Sequence, residues 1–318
     1  MVSEVKSEVI PFYLITGFLG SGKTTLLKNV LARYSGDKRI AVIQNEFAPT
    51  GVDGMDLKMT ATDFKLVEIN NGSVFCICLM ATFVESLQKI IIEYNPEMIF
   101  LEASGLADPV NIIELLDREG LNGRVGLGRI ITIVDAPNFD RGRKTLPRFR
   151  HQIMIADTVI INKTDVYEGS ITLLYDHIRD MNPFAGIIET AWCKTDLKNL
   201  IFPGVGISGS ADSRSGYPGV VTTDMSSSEG HDLNACVLRS HDKLTPEGLK
   251  LFIKELQESS PRIKGFVNLK NGDVMAVQTV FEHCVISKVT GYEGPSEMIA
   301  FGRDMTPRYL RDLLRKHS

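Results

Sequence analysis

The chain has 318 residues, 43% of them hydrophobic and 23% charged, with a formal net charge of −4. That length suggests two hydrophobic cores rather than one, in an ordinary globular composition. The charge balance excludes the overall positive field of a nucleic-acid binder, and the absence of any run of about 18 apolar residues excludes a membrane-spanning helix.

The first ten residues, MVSEVKSEVI, alternate charged and apolar side chains and lack the apolar core of a signal peptide, so a cytoplasmic location is expected. The five cysteines are then expected as reduced thiols, and their odd number argues against a disulfide framework. The first predicted strand is the β-branched run Phe12–Thr16, ending at glycine. Leu26, Leu27, Val30 and Leu31 then share one face of a predicted helix. Further strands are predicted at 39–44, 65–69, 98–103, 130–136, 158–162 and 186–190, with helical stretches at 80–94 and 172–181 between them. Strands that are apolar almost throughout imply burial on both faces. The fold class is therefore α/β, a mostly parallel sheet flanked by crossover helices. The basic stretch Asp140–His151 carries five Arg and Lys and reads as a solvated loop or helix face.

A Gly/Ser-rich stretch without period follows, and the remainder reads as a smaller α+β unit. The expected organisation is a domain at 1–203, a linker at 204–230 and a second domain at 231–318. In the second, a hairpin is expected to turn at Asn271-Gly272, and two helices to begin at Thr-Pro pairs, Thr245-Pro246 and Thr306-Pro307.

The stretch GFLGSGKT, Gly17 to Thr24, fits the phosphate-loop pattern G-x-x-x-x-G-K-[ST] and lies between a predicted strand and a predicted helix. Backbone N–H groups of Gly20, Ser21, Gly22, Lys23, Thr24 and Thr25 can converge on phosphate oxygens at a helix N-terminus. Lys23 is expected to reach the β- and γ-phosphates and Thr24 to bind Mg²⁺. NKTD, Asn162 to Asp165, ends a later strand. Asp165 can accept two hydrogen bonds from guanine, a donor pair that adenine lacks, so GTP and GDP are the expected nucleotides. Asn162 would hold the loop and read the purine's other edge, and Lys163 would lie along the base plane. The segment Glu189–Ala191 is a second base-side candidate. Glu102, at the end of an apolar strand, is expected in the Mg²⁺ shell or beside the attacking water. Gly105 would let a switch loop approach the γ-phosphate, and Glu46 could polarise water or touch metal.

Together, PFYLITGFLGSGKTTLL, NEF, LEASGLADP, DAPNF, ADTVIINKTD and RIKGF resemble the CobW-like GTPases, relatives of the nickel-insertion GTPases of urease and hydrogenase. The resemblance implies a P-loop GTPase domain followed by a CobW-type C-terminal domain. It also implies GTP hydrolysis coupled to zinc, cobalt or nickel handling, and a client metalloprotein or cofactor-dependent enzyme. Members of the family are often homodimers. The family's Cys-x-Cys-Cys after Asn-Gly is displaced here. Asn71-Gly72 is followed by Ser73, Val74 and Phe75 before Cys76-Ile77-Cys78, and Gln44 and Pro49 stand where the family tends to have acids.

Cys76, Cys78 and Glu46 form a candidate three-ligand site for Zn²⁺ or Co²⁺, suited to a metal that must be released. Burial as small apolar residues is the other reading of the two cysteines. Cys193, Cys236 and Cys284 are isolated in sequence and are expected in cores. Three functions compete: a GTPase gating metal transfer, a regulatory GTPase acting on a client with no metal cargo, and an ATP-dependent kinase. The Asn162–Asp165 motif argues against the last.

Overall fold

The structure is a computed structural model and describes residues 9–45, 64–69, 77–103, 116, 121, 123–145, 147–202, 234–260, 262–280, 283–302 and 305–318. The chain divides into two compact units, Met1–Gly206 and Ile207–Ser318. The expected linker at 204–230, Glu46, Cys76 and Gly105 lie outside the described residues.

The first unit contains β1 (Ile10–Gly17), α1 (Lys23–Tyr34), β2 (Ile40–Asn45), β3 (Phe64–Ile69), α2 (Ile77–Tyr94) and β4 (Met98–Glu102). It continues with β5 (Val125–Asp135), α3 (Phe139–Thr145), α4 (Pro147–Ile155), β6 (Thr158–Asn162), α5 (Ile171–Met181), β7 (Gly186–Glu189) and α6 (Leu197–Ile201). The seven strands pair in parallel in the order β3-β2-β4-β1-β5-β6-β7. Alternate strand residues point to opposite faces. Tyr13 and Ile15 of β1 therefore pack with Leu26, Leu27, Val30 and Leu31 of α1, while Phe12 and Leu14 are buried on the other face. Fully burying one such side chain contributes about 1.5–3 kcal/mol. The chain runs outward from β1 on one side, through β2 and β3, and later on the other side, through β5 to β7. In open α/β sheets ligands bind beyond the strand C-termini at such a reversal, and β1 ends there, at Gly17.

Several elements differ from the sequence expectation. β5 begins at Val125, because Val125–Leu127 pair with Ile10–Phe12 of β1 through backbone hydrogen bonds that need no apolar run. α2 begins at Ile77, which puts Cys78 in the first turn of a helix rather than in a strand or loop. The run is apolar all round there, so helical spacing carried no signal. The basic stretch, expected as a loop or helix face, is helical, in α3 and α4. Among the described residues no helix is long and apolar enough to cross a membrane.

The second unit contains β8 (Asn234–Ser240), α7 (Pro246–Gln257), β9 (Arg262–Asn268), β10 (Val274–Val280), β11 (His283–Val289), β12 (Ser296–Gly302) and α8 (Pro307–Lys316). Its antiparallel sheet has the order β11-β10-β9-β12-β8. Both helices start where the Thr-Pro pairs require: the Thr245 and Thr306 hydroxyls accept from the Gly248 and Tyr309 N–H groups at 2.9 and 3.1 Å. The hairpin turns through Gly272, whose φ of +89° suits glycine. Leu249, Phe252 and Leu256 of α7 and Leu310 and Leu314 of α8 pack with Ile263, Val267 and Val277 of the sheet. Cys236 is buried there, as expected. Cys284 is exposed, contrary to expectation. It lies near the start of β11, a strand the sequence reading did not identify, which among the described residues has a neighbouring strand on one side only.

Candidate functional site

The C-terminal ends of β1, β2, β4, β5 and β6 bring the described candidate nucleotide residues to one edge of the sheet. Gly17 (φ +139°) closes β1, and any Cβ there would overlap the Ile133 carbonyl oxygen of β5. Gly22 (φ +111°) caps α1 without a side-chain bond, and no acidic residue lies in the first turn. The first N–H groups of a helix have no intrahelical acceptor, and the helix end carries partial positive charge. Ser21 is fully buried, and its hydroxyl has no hydrogen-bond partner among the described residues. A bend with left-handed glycines, an unneutralised helix N-terminus and an orphaned buried hydroxyl fits an anion such as a phosphate. The Lys23 ammonium donates to the Gly17 and Phe18 carbonyls at 2.9 and 3.2 Å, so it lies across the mouth of this bend.

Thr24 and Glu102 meet directly. The Thr24 hydroxyl donates to Glu102 Oε1 at 2.8 Å, and the Gln44 amide donates to Oε2 at 3.0 Å. Glu102 is only 8% exposed. A hydroxyl that gives its proton to a carboxylate keeps its oxygen lone pairs for a cation. Thr24 and Glu102 together therefore fit Mg²⁺. Thr25 follows on α1, half-buried. Gln44, read in the sequence as a departure from an acid, is tied to the carboxylate that the site needs.

The candidate base side is built by cross-links. Asn162, 3% exposed, donates from its amide to the Ser21 carbonyl at 2.8 Å and accepts from the Cys193 N–H at 3.0 Å. Both ends of that amide are engaged, which suits holding the loop better than reading a purine edge. Any Cβ on Gly22 would overlap Asn162 Nδ2. Lys163 has φ +63°, and its ammonium pairs with Asp135 Oδ2 at 2.6 Å. Asp135 also accepts from the Asn138 backbone and side-chain amides. Asp135 opens the DAPNF motif noted in the sequence, where it carried no assigned role; its place at the end of an apolar strand, as with Glu102, was a further signal. Asp165 is exposed in a single 3-10 turn, Thr164–Val166.

The loop after β7 carries two consecutive left-handed residues, Trp192 (φ +58°) and Cys193 (φ +52°). Such residues cost roughly 1–2 kcal/mol each, and the surrounding bonds hold them there. Asn29 of α1 donates to both their carbonyls at 3.1 and 3.0 Å, and the Cys193 thiol donates to the Gly22 carbonyl at 3.4 Å. Burial pushes the Cys193 thiol up to about 12, against smaller opposing pulls from the Leu26 backbone N–H and then the Lys163 ammonium. Among the described residues no three His, Cys, Asp or Glu side chains gather to hold a metal ion.

Residues 11–189 match the family described as CobW/HypB/UreG, nucleotide-binding domain. The chain belongs to the CobW/HypB/UreG family. Residues 233–317 of this CobW-family chain match the cobalamin synthesis protein cobW C-terminal domain. Over 188 residues it is 32% identical to a zinc chaperone CobW of Sinorhizobium sp, covering 51% of this chain and 52% of the relative. Over 240 residues it is 32% identical to zinc-regulated GTPase metalloprotein activator 1 of Saccharomyces cerevisiae, covering 65% and 55%. Over 199 residues it is 33% identical to zinc chaperone YjiA of Escherichia coli, covering 59% of each. The chain thus spans about half the length of the curated relatives it matches. Its fold is similar to that of the Zn(II)-bound YjiA GTPase from E. coli, with a TM-score of 0.61 and 22% identity over 98% of this chain and 99% of the other.

Proposed function

We propose that the chain binds and hydrolyses GTP and couples its nucleotide state to delivery of a transition metal, zinc, cobalt or nickel, to a client metalloprotein. The relatives named as zinc chaperones and as a zinc-regulated GTPase support the metal half of this reading. The observation that carries it is the hydrogen-bonded chain Thr24–Glu102–Gln44. It links the helix behind the phosphate loop to the end of β2, two residues before Glu46.

On this reading the Lys23 ammonium moves from the two carbonyls it now touches to the β- and γ-phosphates. Thr24 and Glu102 hold Mg²⁺, directly or through water. Mg²⁺ held there by Thr24 and Glu102 would supply positive charge to offset the negative charge that develops on the phosphates. Asp165 accepts from guanine N1–H and its 2-amino group; adenine would leave the carboxylate unpaired. Glu46 polarises water or joins Cys76 and Cys78 around the cargo ion, and Gly105 admits the switch loop to the γ-phosphate. Changes at Glu102 reach that segment through Gln44, and hydrolysis releases it. Turnover is slow until a partner supplies a further group.

Titration of Zn²⁺ and Co²⁺ against a competing chelator, with GDP and with a non-hydrolysable GTP analogue, tests this. One tight site that shifts with nucleotide and vanishes in Cys76→Ser/Cys78→Ser is the expected result. A second reading keeps the GTPase but gives it no metal cargo, and acts on a client by protein contact. Gln44, an amide where the resemblance leads one to expect an acid, favours it. Metal binding that is weak and indifferent both to nucleotide and to the double substitution would establish that version instead.

A further inference from the structure

Trp192 is the chain's single tryptophan. It is 67% exposed, yet the backbone around it is held by several hydrogen bonds. Asn29 grips its carbonyl from α1. Its neighbour Cys193 is buried and tied to Asn162 and to Gly22. Thr190, two residues earlier, bonds through its hydroxyl to the Ala191 and Lys194 carbonyls, and its own carbonyl accepts from the Thr164 N–H at 3.3 Å. The loop is thus knitted to the Asn162–Asp165 loop on one side and to α1 on the other. Backbone strain held in place by surrounding bonds clusters at ligand-binding sites, and here it presents a large flat ring to solvent beside the Asn162–Asp165 loop. The loop also lies outside both stretches that match the family domains, 11–189 and 233–317.

We propose that Trp192 is the stacking wall of the base site, its indole covering the face of the guanine whose edge Asp165 holds. A ring can cover any purine, so Trp192 adds affinity while Asp165 supplies the choice of base. This inference rests on the assignment of the base to the Asn162–Asp165 loop.

Because no other tryptophan contributes, emission of the native chain excited at the red edge, where its eight tyrosines do not absorb, reads this residue alone. GDP should change that emission, and inorganic tripolyphosphate, which has no base, should not. By calorimetry Trp192→Ala should bind GDP about tenfold more weakly, with tripolyphosphate affinity unchanged and Trp192→Phe recovering part of the loss. Asp165→Asn, in parallel, should exchange preference for GDP for preference for xanthosine diphosphate, whose 2-oxo group accepts where guanine donates. If Asp165→Asn switches preference while Trp192→Ala binds GDP as the native chain does, the stacking wall is wrong and the base loop stands. If Asp165→Asn keeps its preference for GDP, the base-loop assignment falls and the stacking wall falls with it. Equal loss of GDP and tripolyphosphate in Trp192→Ala would make the residue structural and overturn the proposal.

Discussion

The two ends of the candidate nucleotide site are made in different ways. The phosphate end is one continuous stretch, Gly17–Thr24, in which backbone geometry does most of the work and Lys23 folds back on its own loop. The base end is assembled from α1, the loop after β6 and the loop after β7, and side chains hold it together: Asn162, Asn29 and Cys193. Phosphates are alike in every nucleotide, so a local backbone device is enough. A base must be told from other bases, which needs a carboxylate aimed from a loop whose position is set by distant residues. Asn162, reaching from one end to the Ser21 carbonyl of the other, makes the two a single body.

The sharpest way to break both ends together is Gly22→Ala. The new Cβ meets Asn162 Nδ2 and sits 3.1 Å from the Cys193 sulfur, at a φ unsuited to alanine. A loss of roughly 3–4 kcal/mol in urea unfolding is expected. Lys23→Ala should break only the phosphate end, lowering phosphate release from GTP about 100-fold with stability little changed. A matched loss of fold stability would show that Lys23 mainly braces its own loop. Asn162→Ala should break the seam. It removes two buried hydrogen bonds and strands the Cys193 N–H, for about 2–3 kcal/mol of stability, and weakens GDP more than tripolyphosphate. Asn29→Ala touches the base end alone. About 1 kcal/mol of stability and a several-fold weaker affinity for GDP are expected, and calorimetry with tripolyphosphate should show no change.

The smallest effect is in pH. Burial pushes the Cys193 thiol and the Tyr13 phenol up to about 12, from ordinary values of 9.0 and 10.0. The folded chain keeps both protons where the unfolded chain has lost them. Their stabilisation is therefore full below about pH 9 and is lost as pH rises toward 12. Melting temperature followed across that window should fall, and Cys193→Ala should flatten part of the slope; an unchanged slope would place the thiol in contact with water.

Much of this was legible because it is local. The left-handed glycines, the helix behind Lys23 and the Thr-Pro caps at Thr245 and Thr306 each depend on a few consecutive residues. So does the hairpin at Gly272. Alternating elements with apolar strands implied the parallel sheet, since only burial on both faces makes such runs stable. Other features were not legible. Residues 125–127 join β5 by backbone bonds to β1, which side-chain patterns do not record. Cys284 looked like any small buried residue until β11 proved to be an edge strand.

By itself the sequence determined the class of fold and the phosphate loop, and it named Asp165 as the candidate carboxylate for the base, because each follows from chemistry within a few residues or from a simple period. The tertiary structure alone decided that Thr24, Glu102 and Gln44 form one hydrogen-bonded chain. It also decided that Asp135 holds Lys163, and that Asn29 and Asn162 fix the strained loop bearing Trp192. Those partners lie from 28 to 163 residues apart, and a sequence carries no local trace of side chains that meet only when strands line up in a sheet.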